Sequence, residues 1–251
     1  MMKHPSFEFD RRRFLGLAAG GVAASAAGPL AAFAQAGGGA PLKIATIGAG
    51  REGGALGTLF AKQGHPVMFS SLHPEQLKDL VASAGPTAQA GTVEQAVKFG
   101  DVILLVVPYT AVEQIGKDHG KALAAKQLVI DVSNPIARRD GDAIVKWVAE
   151  QGGAGLAAAK LLPGAHLVRA FNAINYLKLT ADAHRAGEPI GVPIAGDDPK
   201  ALALAEHLIK EIGLEPVPVG GLAMGKYLVP GTPLAGEHTP AEIRQIVATL
   251  K

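Results

Sequence analysis

Cysteine is absent from the 251 residues of this chain. Its absence excludes disulfide bonds, a thiol nucleophile, an iron–sulfur cluster and a thiolate zinc site. It also excludes a lipid anchor on an N-terminal cysteine. Excess charge is lacking as well, because 24 Lys and Arg stand against 22 Asp and Glu. From residue 35 onward the two signs balance, and a chain without a basic excess is not typical of nucleic-acid-binding proteins.

Familiar catalytic and metal-binding patterns are missing too. None of the three tyrosines is followed by lysine four positions later, which argues against a short-chain-reductase pair. Lys226 is followed at that spacing by Pro230, a helix breaker, so a Lys-x-x-x-Asn pair on a helix is excluded. The eight histidines are scattered without metal-ligand spacing, and His166, just before an apolar run, is assigned a structural role. We therefore predict no catalytic side chain and no metal site.

The first 34 residues have the pattern of an export signal. Arg11-Arg12-Arg13-Phe14-Leu15 resembles the twin-arginine motif, and Ala32-Phe33-Ala34 is an A-x-A cleavage site. We predict cleavage before Gln35, a flexible tether at 35–40, and delivery to the periplasm or the medium by the twin-arginine machinery. A membrane anchor or an alanine-rich helix of the fold are the alternatives. Glycine and alanine interrupt the segment too often for a stable span, so no stable membrane insertion is predicted.

Apolar runs alternate with amphipathic segments from residue 41 to the C-terminus, and no shift in composition marks a second domain. The alternation predicts a single α/β domain at 41–251 with a doubly wound, mostly parallel sheet, a Rossmann-like fold. We predict strands at 42–47, 66–70, 87–90, 101–107, 127–132, 167–171, 189–195 and 215–219. We predict helices from the glycine loop to Gly64, at 75–83, 93–98 and 199–212, and after a capping Thr239.

A glycine-rich turn follows the first of these strands. Its residues are Gly48-Ala49-Gly50-Arg51-Glu52-Gly53, a G-x-G-x-x-G sequence between a strand and a helix. The first glycine permits the tight turn, the second lets a phosphate approach the backbone, and the third lets helix and strand pack closely. The helix N-terminus then faces the anion. The context predicts a dinucleotide pyrophosphate site, with an ordinary βα turn as the alternative.

The second strand ends in Ser70-Ser71-Leu72-His73, without the acidic residue that would hold the ribose 2′-hydroxyl of NAD. An uncharged, hydroxyl-bearing turn favours the 2′-phosphate of NADP. Arg51 and His73 are candidate partners of that phosphate, although each could instead be a solvated surface residue. Glu52 is expected to contribute only its backbone, because its carboxylate would repel pyrophosphate.

Several motifs together resemble the NADPH-dependent deazaflavin-coenzyme reductases, and also the reductase domains of membrane metalloreductases. The resemblance spans residues 42–235. Its motifs are Ile47-Gly48-Ala49-Gly50, Val106-Val107-Pro108, Asp131-Val132-Ser133-Asn134-Pro135, Val168-Arg169-Ala170-Phe171-Asn172, Ala195-Gly196-Asp197-Asp198, Gly220-Gly221-Leu222 and Pro230-Gly231-Thr232-Pro233-Leu234.

By this resemblance, residues 49–52 line the pyrophosphate and Ser71 meets the 2′-phosphate. Val107 and Pro108 flank the ribose and nicotinamide, with Asn134 and Ala170 near the nicotinamide. Asn172 and the tail near Lys226 would help to bound the acceptor pocket, and the stretch 137–164 would shape it. The family usually has arginine where this chain has Leu72, which weakens the preference for NADP over NAD unless Arg51 substitutes.

The resemblance implies an NADP-dependent oxidoreductase that transfers hydride between NADP(H) and a deazaflavin or flavin-like small-molecule acceptor. Such a transfer between two rings needs close stacking and no protein acid. Two alternatives stay open: an exported dinucleotide-binding protein without turnover, acting as a sensor or carrier, and a flavin-dependent metal reductase. The sequence also leaves a homodimer open.

Overall fold

Strands and helices alternate along residues 41–250, the part of the chain that the computed structural model describes. The strands are β1 (Ile44–Ile47), β2 (Val67–Ser70), β3 (Ala88–Gly91), β4 (Val102–Leu105), β5 (Leu128–Asp131), β6 (Leu167–Arg169), β7 (Gly191–Gly196) and β8 (Glu215–Gly220). The helices are α1 (Arg51–Lys62), α2 (Lys78–Ala84), α3 (Val93–Phe99), α4 (Tyr109–Ala124), α5 (Ala137–Asp140), α6 (Asp142–Glu150), α7 (Ala154–Leu161), α8 (Tyr176–Ala181), α9 (Pro199–Glu211) and α10 (Pro240–Thr249). Short 3-10 helices lie at Pro74–Leu77 and Leu222–Tyr227.

The strands form one eight-stranded sheet in the order β3-β2-β1-β4-β5-β6-β7-β8. Every neighbouring pair is parallel except β6 and β7, which run antiparallel. The predicted doubly wound, mostly parallel sheet is thus confirmed. The strand order reverses between β1 and β4, and a crevice for ligands forms beyond the carboxyl ends of strands at such a point. The glycine loop and the ends of β4 and β5 meet there.

Both faces of the sheet are covered, which explains the continuous apolar strands. Ile44, Leu104 and Ile130 point to one face and pack in a core cluster that includes Leu56 of α1 and Leu208 of α9. Neighbouring strand residues point to the opposite face, because side chains alternate along a strand. That second cluster combines strand residues Ala45, Ile103 and Val129 with Val97, Val112 and Ala158 from helices α3, α4 and α7.

Local capping chemistry decides several helix boundaries. Thr239 caps α10 through a reciprocal capping box with Glu242, which confirms the predicted terminal helix. The helix predicted at 75–83 is divided, because a 3-10 turn beginning at Pro74 precedes α2. The helices α4 to α8 were not assigned from the sequence pattern. The predicted β7–α9–β8 unit is present with its two strands parallel.

The predicted export signal at 1–34 and the tether at 35–40 lie outside the described residues. Within residues 41–250, none of the helices is long and apolar enough to cross a lipid bilayer.

Candidate functional site

The three glycines of the loop between β1 and α1 have different surroundings. Gly48 has a φ of +97°, and a Cβ there would lie 2.2 Å from the carbonyl oxygen of Val106. A Cβ on Gly53 would lie 2.0 Å from the carbonyl oxygen of Gly48. Around Gly50, no atom of the described residues beyond its two chain neighbours lies within 4 Å of where a Cβ would be. Gly48 and Gly53 are therefore required by packing, whereas Gly50 keeps an open approach to the backbone.

A cleft of about 210 Å³ opens beside this loop, at the carboxyl ends of β1, β4 and β5. Its lining residues are Gly50, Arg51, Glu52, Gly53, Val106, Val107, Pro108, Val132, Asn134, Ile136 and Arg139. Seven of the predicted site residues are thus brought together, namely Gly50, Arg51, Glu52, Gly53, Val107, Pro108 and Asn134. Loops following successive strands supply them, as expected for a ligand site of an open α/β sheet.

Other predicted residues lie outside this lining. Gly48 lies against Val106 beneath the cleft, and Ala49 donates its backbone N–H to the carbonyl oxygen of Ser70 at 2.9 Å. Ala170 is fully buried in the core. Gly48 and Ala49 therefore support the shape of the loop through their backbone, whereas Ala170 belongs to the hydrophobic core.

The end of β2 forms a polar turn. Ser70 is buried, and its hydroxyl donates to the carbonyl oxygen of Thr46 at 2.7 Å, so it ties β2 to β1. The Ser71 hydroxyl oxygen accepts a hydrogen bond from the backbone N–H of His73 at 3.1 Å. The Nδ1 atom of His73 lies 3.4 Å from a carboxylate oxygen of Glu75. Leu72, at the position where the resembled family has arginine, is 88% exposed.

Asn134 is fixed at the cleft by two hydrogen bonds. Its amide nitrogen donates to the carbonyl oxygen of Asn172 at 2.6 Å, and its amide oxygen accepts from Arg169 at 3.3 Å. Asn172 in turn donates to the carbonyl oxygen of Asp131 at 2.9 Å and lies behind the cleft wall. Lys226 packs against the backbone turn at Gly153 and does not line the cleft.

A buried ion pair, which was not predicted from the sequence, holds this wall together. Arg169 and Asp131 face each other across β5 and β6, and both side chains are completely buried. Asp131 also accepts from the backbone N–H and the hydroxyl of Ser133, and Arg169 donates to the carbonyl oxygens of Ser133 and Leu228. The sequence does contain a hint of this ion pair, because an acidic residue ends one apolar strand and a basic residue ends another. The pairing could be predicted only by knowing that the two strands are neighbours in the sheet.

Arg139 was not singled out from the sequence, although it lies in the stretch 137–164 that was expected to shape the acceptor pocket. It lines the cleft with its side chain 41% exposed, and its guanidinium donates to Asp140 and to the carbonyl oxygen of Asn134. Burial alone would raise the pKa of Asp140. Hydrogen bonds from Arg139 and from the backbone N–H of Ile136 outweigh that effect and lower the pKa below its usual value. The ionised Asp140 therefore positions a guanidinium on the cleft wall.

Glu52 has the most unusual environment in the cleft. Burial raises the pKa of its carboxyl group from 4.5 to about 7, and a hydrogen bond from the backbone of Tyr176 acts in the opposite direction. Its Oε1 atom is buried and has no hydrogen-bond partner among the described residues. The side chain is thus turned toward the start of α8, and its charge depends on pH near neutrality.

We expect the substitution Glu52→Gln to stabilise the protein at alkaline pH. A carboxyl whose pKa is higher in the folded than in the unfolded state binds more protons when folded. Stability is therefore lost as the pH rises from 4.5 through about 7. The shift corresponds to about 3 kcal/mol, which we reduce to about 2 kcal/mol because the side chain keeps some contact with solvent.

Urea unfolding at pH 4 and pH 8.5 checks this expectation. The Glu52→Gln variant should match the unaltered protein at pH 4 and exceed its free energy of unfolding at pH 8.5. Glu75→Gln, a change to an exposed carboxylate, is the matched control and should alter stability by at most about 0.5 kcal/mol. Equal stabilities of the Glu52→Gln variant and the unaltered protein at both pH values would contradict the claim that burial raises the pKa of Glu52.

Two residues considered during the sequence analysis have structural partners. Tyr109 is buried, and its hydroxyl donates to the carbonyl oxygen of Ala154 at 3.0 Å. Burial, followed by the nearby charge of Asp131, raises its pKa, so the phenol stays protonated. His166 bonds through Nδ1 to Asp198, which caps α9. Among the described residues, the side chains of His, Asp and Glu form no group of three that could hold a metal ion.

A known protein family matches the part of the chain that supplies most of the cleft lining. Residues 43–135 match the model of the family described as NADP oxidoreductase coenzyme F420-dependent. The matched range begins at β1 and ends just after Asn134, so it includes every residue through which the chain lines the cleft except Ile136 and Arg139. Coenzyme F420 is a deazaflavin, so the resemblance to the deazaflavin-coenzyme reductases is supported over this range.

Solved structures share the fold. A hypothetical protein from Sinorhizobium meliloti is 23% identical, with a TM-score of 0.65 and 80% of this chain and 96% of that chain covered. A protein from Arthrobacter sp. described as an F420-dependent NADP reductase is 18% identical, with a TM-score of 0.58 and coverage of 74% and 87%. An imine reductase variant from Myxococcus stipitatus, in complex with NAD+, is 18% identical, with a TM-score of 0.53 and coverage of 74% and 57%. The matched family and the latter two structures are oxidoreductases by description, in agreement with the predicted enzyme class. The chain therefore has the Rossmann-like fold of these proteins, and its residues 43–135 are similar to the family described as NADP oxidoreductase coenzyme F420-dependent.

Proposed function

We propose that this protein is an NADP-dependent oxidoreductase that transfers hydride between NADP(H) and a deazaflavin or flavin-like acceptor. The observation that carries the proposal is the open backbone at Gly50, which lies in one cleft with the residues that end β4 and β5. The match of residues 43–135 to the F420-dependent NADP oxidoreductase family supports it.

The loop fits a pyrophosphate group. Helix α1 begins at Arg51, and no side chain among the described residues caps its N-terminus. Backbone N–H groups at the start of a helix are without partners in the helix itself, and together with the helix dipole they attract an anion. Because Gly50 has no Cβ, a phosphate can approach these N–H groups closely.

The turn after β2 is suited to a 2′-phosphate. Ser71 supplies a hydroxyl group, and His73 supplies an imidazole whose Nδ1 atom lies 3.4 Å from the carboxylate of Glu75. Arg51 is exposed at the start of α1, and we propose that it contacts the same anion, because Leu72 stands where the resembled family usually has arginine. We therefore expect NADPH to bind at least about tenfold more tightly than NADH, since a charge-assisted contact is worth about 1.5–3 kcal/mol. Titration of the protein with each dinucleotide measures the ratio, and tighter binding of NADH would contradict it.

The remaining residues of the cleft position the reacting ring. When bound, NADPH supplies a hydride from its nicotinamide ring. Val107 and Pro108 present an apolar wall, and Asn134 presents a side chain already fixed by Arg169 and Asn172. A fixed wall lowers the entropy that must be lost when two rings are brought together. This chain's contribution to catalysis is thus orientation and exclusion of water.

Oxidation of NADPH by the purified protein tests the proposal. Deazaflavin coenzyme, FMN and FAD are offered in turn as acceptors, and absorbance at the NADPH band is followed. Turnover with one of them establishes a reductase and names its acceptor. Tight binding of NADPH without turnover of any acceptor contradicts the proposal and supports a sensor or carrier instead. Reduction of ferric ions that depends on added flavin would support the metal reductase.

We further propose that the protein is exported by the twin-arginine route, which carries folded proteins with cofactor already bound. The motif at Arg11 and Arg12 and the cleavage site at Ala32–Ala34 support this proposal. Cell fractionation of the unaltered chain and of an Arg11→Lys/Arg12→Lys variant provides the test. Export that persists in the double variant would contradict the proposed twin-arginine route.

A further inference from the structure

Glu52 has a polar atom that the fold leaves without a partner. The residue lines the cleft, and its buried Oε1 accepts no hydrogen bond from the described residues. A buried carboxylate oxygen without a donor is costly, and most buried polar groups in folded proteins are paired. Inside its candidate site, the protein therefore has a carboxylate oxygen to which residues 41–250 supply no hydrogen-bond donor.

The position of Glu52 relative to a dinucleotide follows from the fold. This step rests on the proposed function. In a Rossmann-like fold the pyrophosphate lies at the N-terminus of α1, and the adenosine half extends toward the end of β2. The nicotinamide half then extends in the opposite direction, over the ends of β4 and β5. Glu52 shares the cleft there with Val107, Pro108 and Asn134.

The two redox forms of the cofactor differ in charge at the nicotinamide ring. The ring is positively charged in NADP+ and neutral in NADPH, whereas both forms carry the same phosphates. Repulsion between Glu52 and the phosphates therefore weakens both forms alike. A difference between the affinities for NADP+ and NADPH must therefore come from an interaction with the ring. The ratio of the two dissociation constants measures that interaction.

We propose that Glu52 is the residue that senses the charge of the nicotinamide ring. Its ionised carboxylate makes the site prefer NADP+ over NADPH, and its protonated carboxyl group removes that preference. Opposite charges a few ångströms apart in a partly desolvated cleft attract each other strongly enough to change affinity on the order of tenfold. By reciprocity, NADP+ favours the ionised carboxylate by the same factor.

Other charged and titratable groups surround Glu52. Arg51 and Arg139 line the cleft with Glu52, Asp140 is paired with Arg139, and the backbone of Tyr176 at the start of α8 contacts the Glu52 carboxyl group. Arginine and lysine side chains keep their charge across neutral pH. Asp140 is held ionised by Arg139. Among the residues that line the cleft, Glu52 is the one whose pKa, raised by burial to about 7, lies within the range of the experiment.

The test measures the dissociation constants of NADP+ and of NADPH between pH 5.5 and 8.5, with the complete chain. For the unaltered protein, we expect the ratio of the NADPH constant to the NADP+ constant to rise on the order of tenfold across this range. In the Glu52→Gln variant the ratio should stay flat. Glu75→Gln is the matched control, because Glu75 lies at the phosphate end of the site. The Glu75→Gln variant should change the dissociation constants of NADP+ and NADPH by the same factor. The ratio of the two constants should therefore depend on pH as it does in the unaltered protein.

A second measurement needs no variant. Binding of NADP+ to the unaltered protein at pH 7 should release protons, seen as a dependence of the calorimetric enthalpy on buffer ionisation, and binding of NADPH should release fewer. A flat ratio in the unaltered protein, or a pH-dependent ratio that persists in Glu52→Gln, would overturn the assignment of Glu52. If neither dinucleotide binds, the proposed function fails and this inference fails with it. Binding of both with a flat ratio overturns the inference alone.

Discussion

Replacing Arg169 by methionine is expected to lower the free energy of unfolding by about 3–5 kcal/mol. Methionine fills a similar space but leaves the carboxylate of Asp131 buried without its cation. It also removes the donor to the carbonyl oxygens of Ser133 and Leu228 and to the side chain of Asn134. A buried charge that loses its partner cannot regain its hydration, so the cost greatly exceeds that of losing an exposed ion pair.

Urea unfolding of three variants separates this explanation from others. The double variant Asp131→Asn/Arg169→Met should recover at least half of the loss, because neither buried charge remains. Arg244→Met, which removes an exposed arginine on α10, should change stability by at most about 0.5 kcal/mol. A loss below about 1 kcal/mol for Arg169→Met would contradict the buried pair. We also expect weaker dinucleotide binding, since Asn134 loses one of its two fixed partners.

Replacing Gly50 by alanine is expected to weaken dinucleotide binding on the order of a hundredfold while leaving the fold intact. The backbone at Gly50 has a φ of −73° and a ψ of −160°, which alanine adopts without strain. No atom of the described residues beyond its two chain neighbours lies within 4 Å of the added methyl group, so the protein itself accommodates it. The methyl group instead occupies the path by which a phosphate reaches the start of α1. The change in stability should stay within about 1 kcal/mol, the usual cost of alanine at the residue that caps a helix.

Gly53→Ala provides the contrasting case three residues away. Its Cβ would lie 2.0 Å from the carbonyl oxygen of Gly48, so the helix and the loop must move apart. We expect a loss of about 2–3 kcal/mol in the free energy of unfolding, as for overpacked cores. Calorimetric titration with NADPH and urea unfolding of both variants provide the comparison. Unchanged affinity in Gly50→Ala would show that no phosphate approaches this residue.

Local chemistry explains why much of this fold could be predicted from the sequence. Continuous apolar runs, such as the one that contains β4, belong to strands covered on both faces, and the structure has them there. The G-x-G-x-x-G loop predicted a turn and a helix start, and Gly48 indeed has positive φ while α1 begins at Arg51. Thr239 predicted the start of the last helix because an N-cap acts within one turn. The antiparallel direction of β7 was not predicted, because strand direction depends on the path of the connecting segment.

The sequence by itself determined the strands, the first and last helices, the glycine loop and the group of loop residues at the ends of β1, β4 and β5, because these follow from backbone geometry and side-chain periodicity over a few residues. Only the tertiary structure decided the ion pair of Asp131 and Arg169, the entry of Arg139 into the cleft and the burial of Glu52. Each of these depends on residues far apart in the chain, and on how much water the packed elements exclude. Charge, hydration and pKa are properties of that enclosure, so they arise when the elements come together.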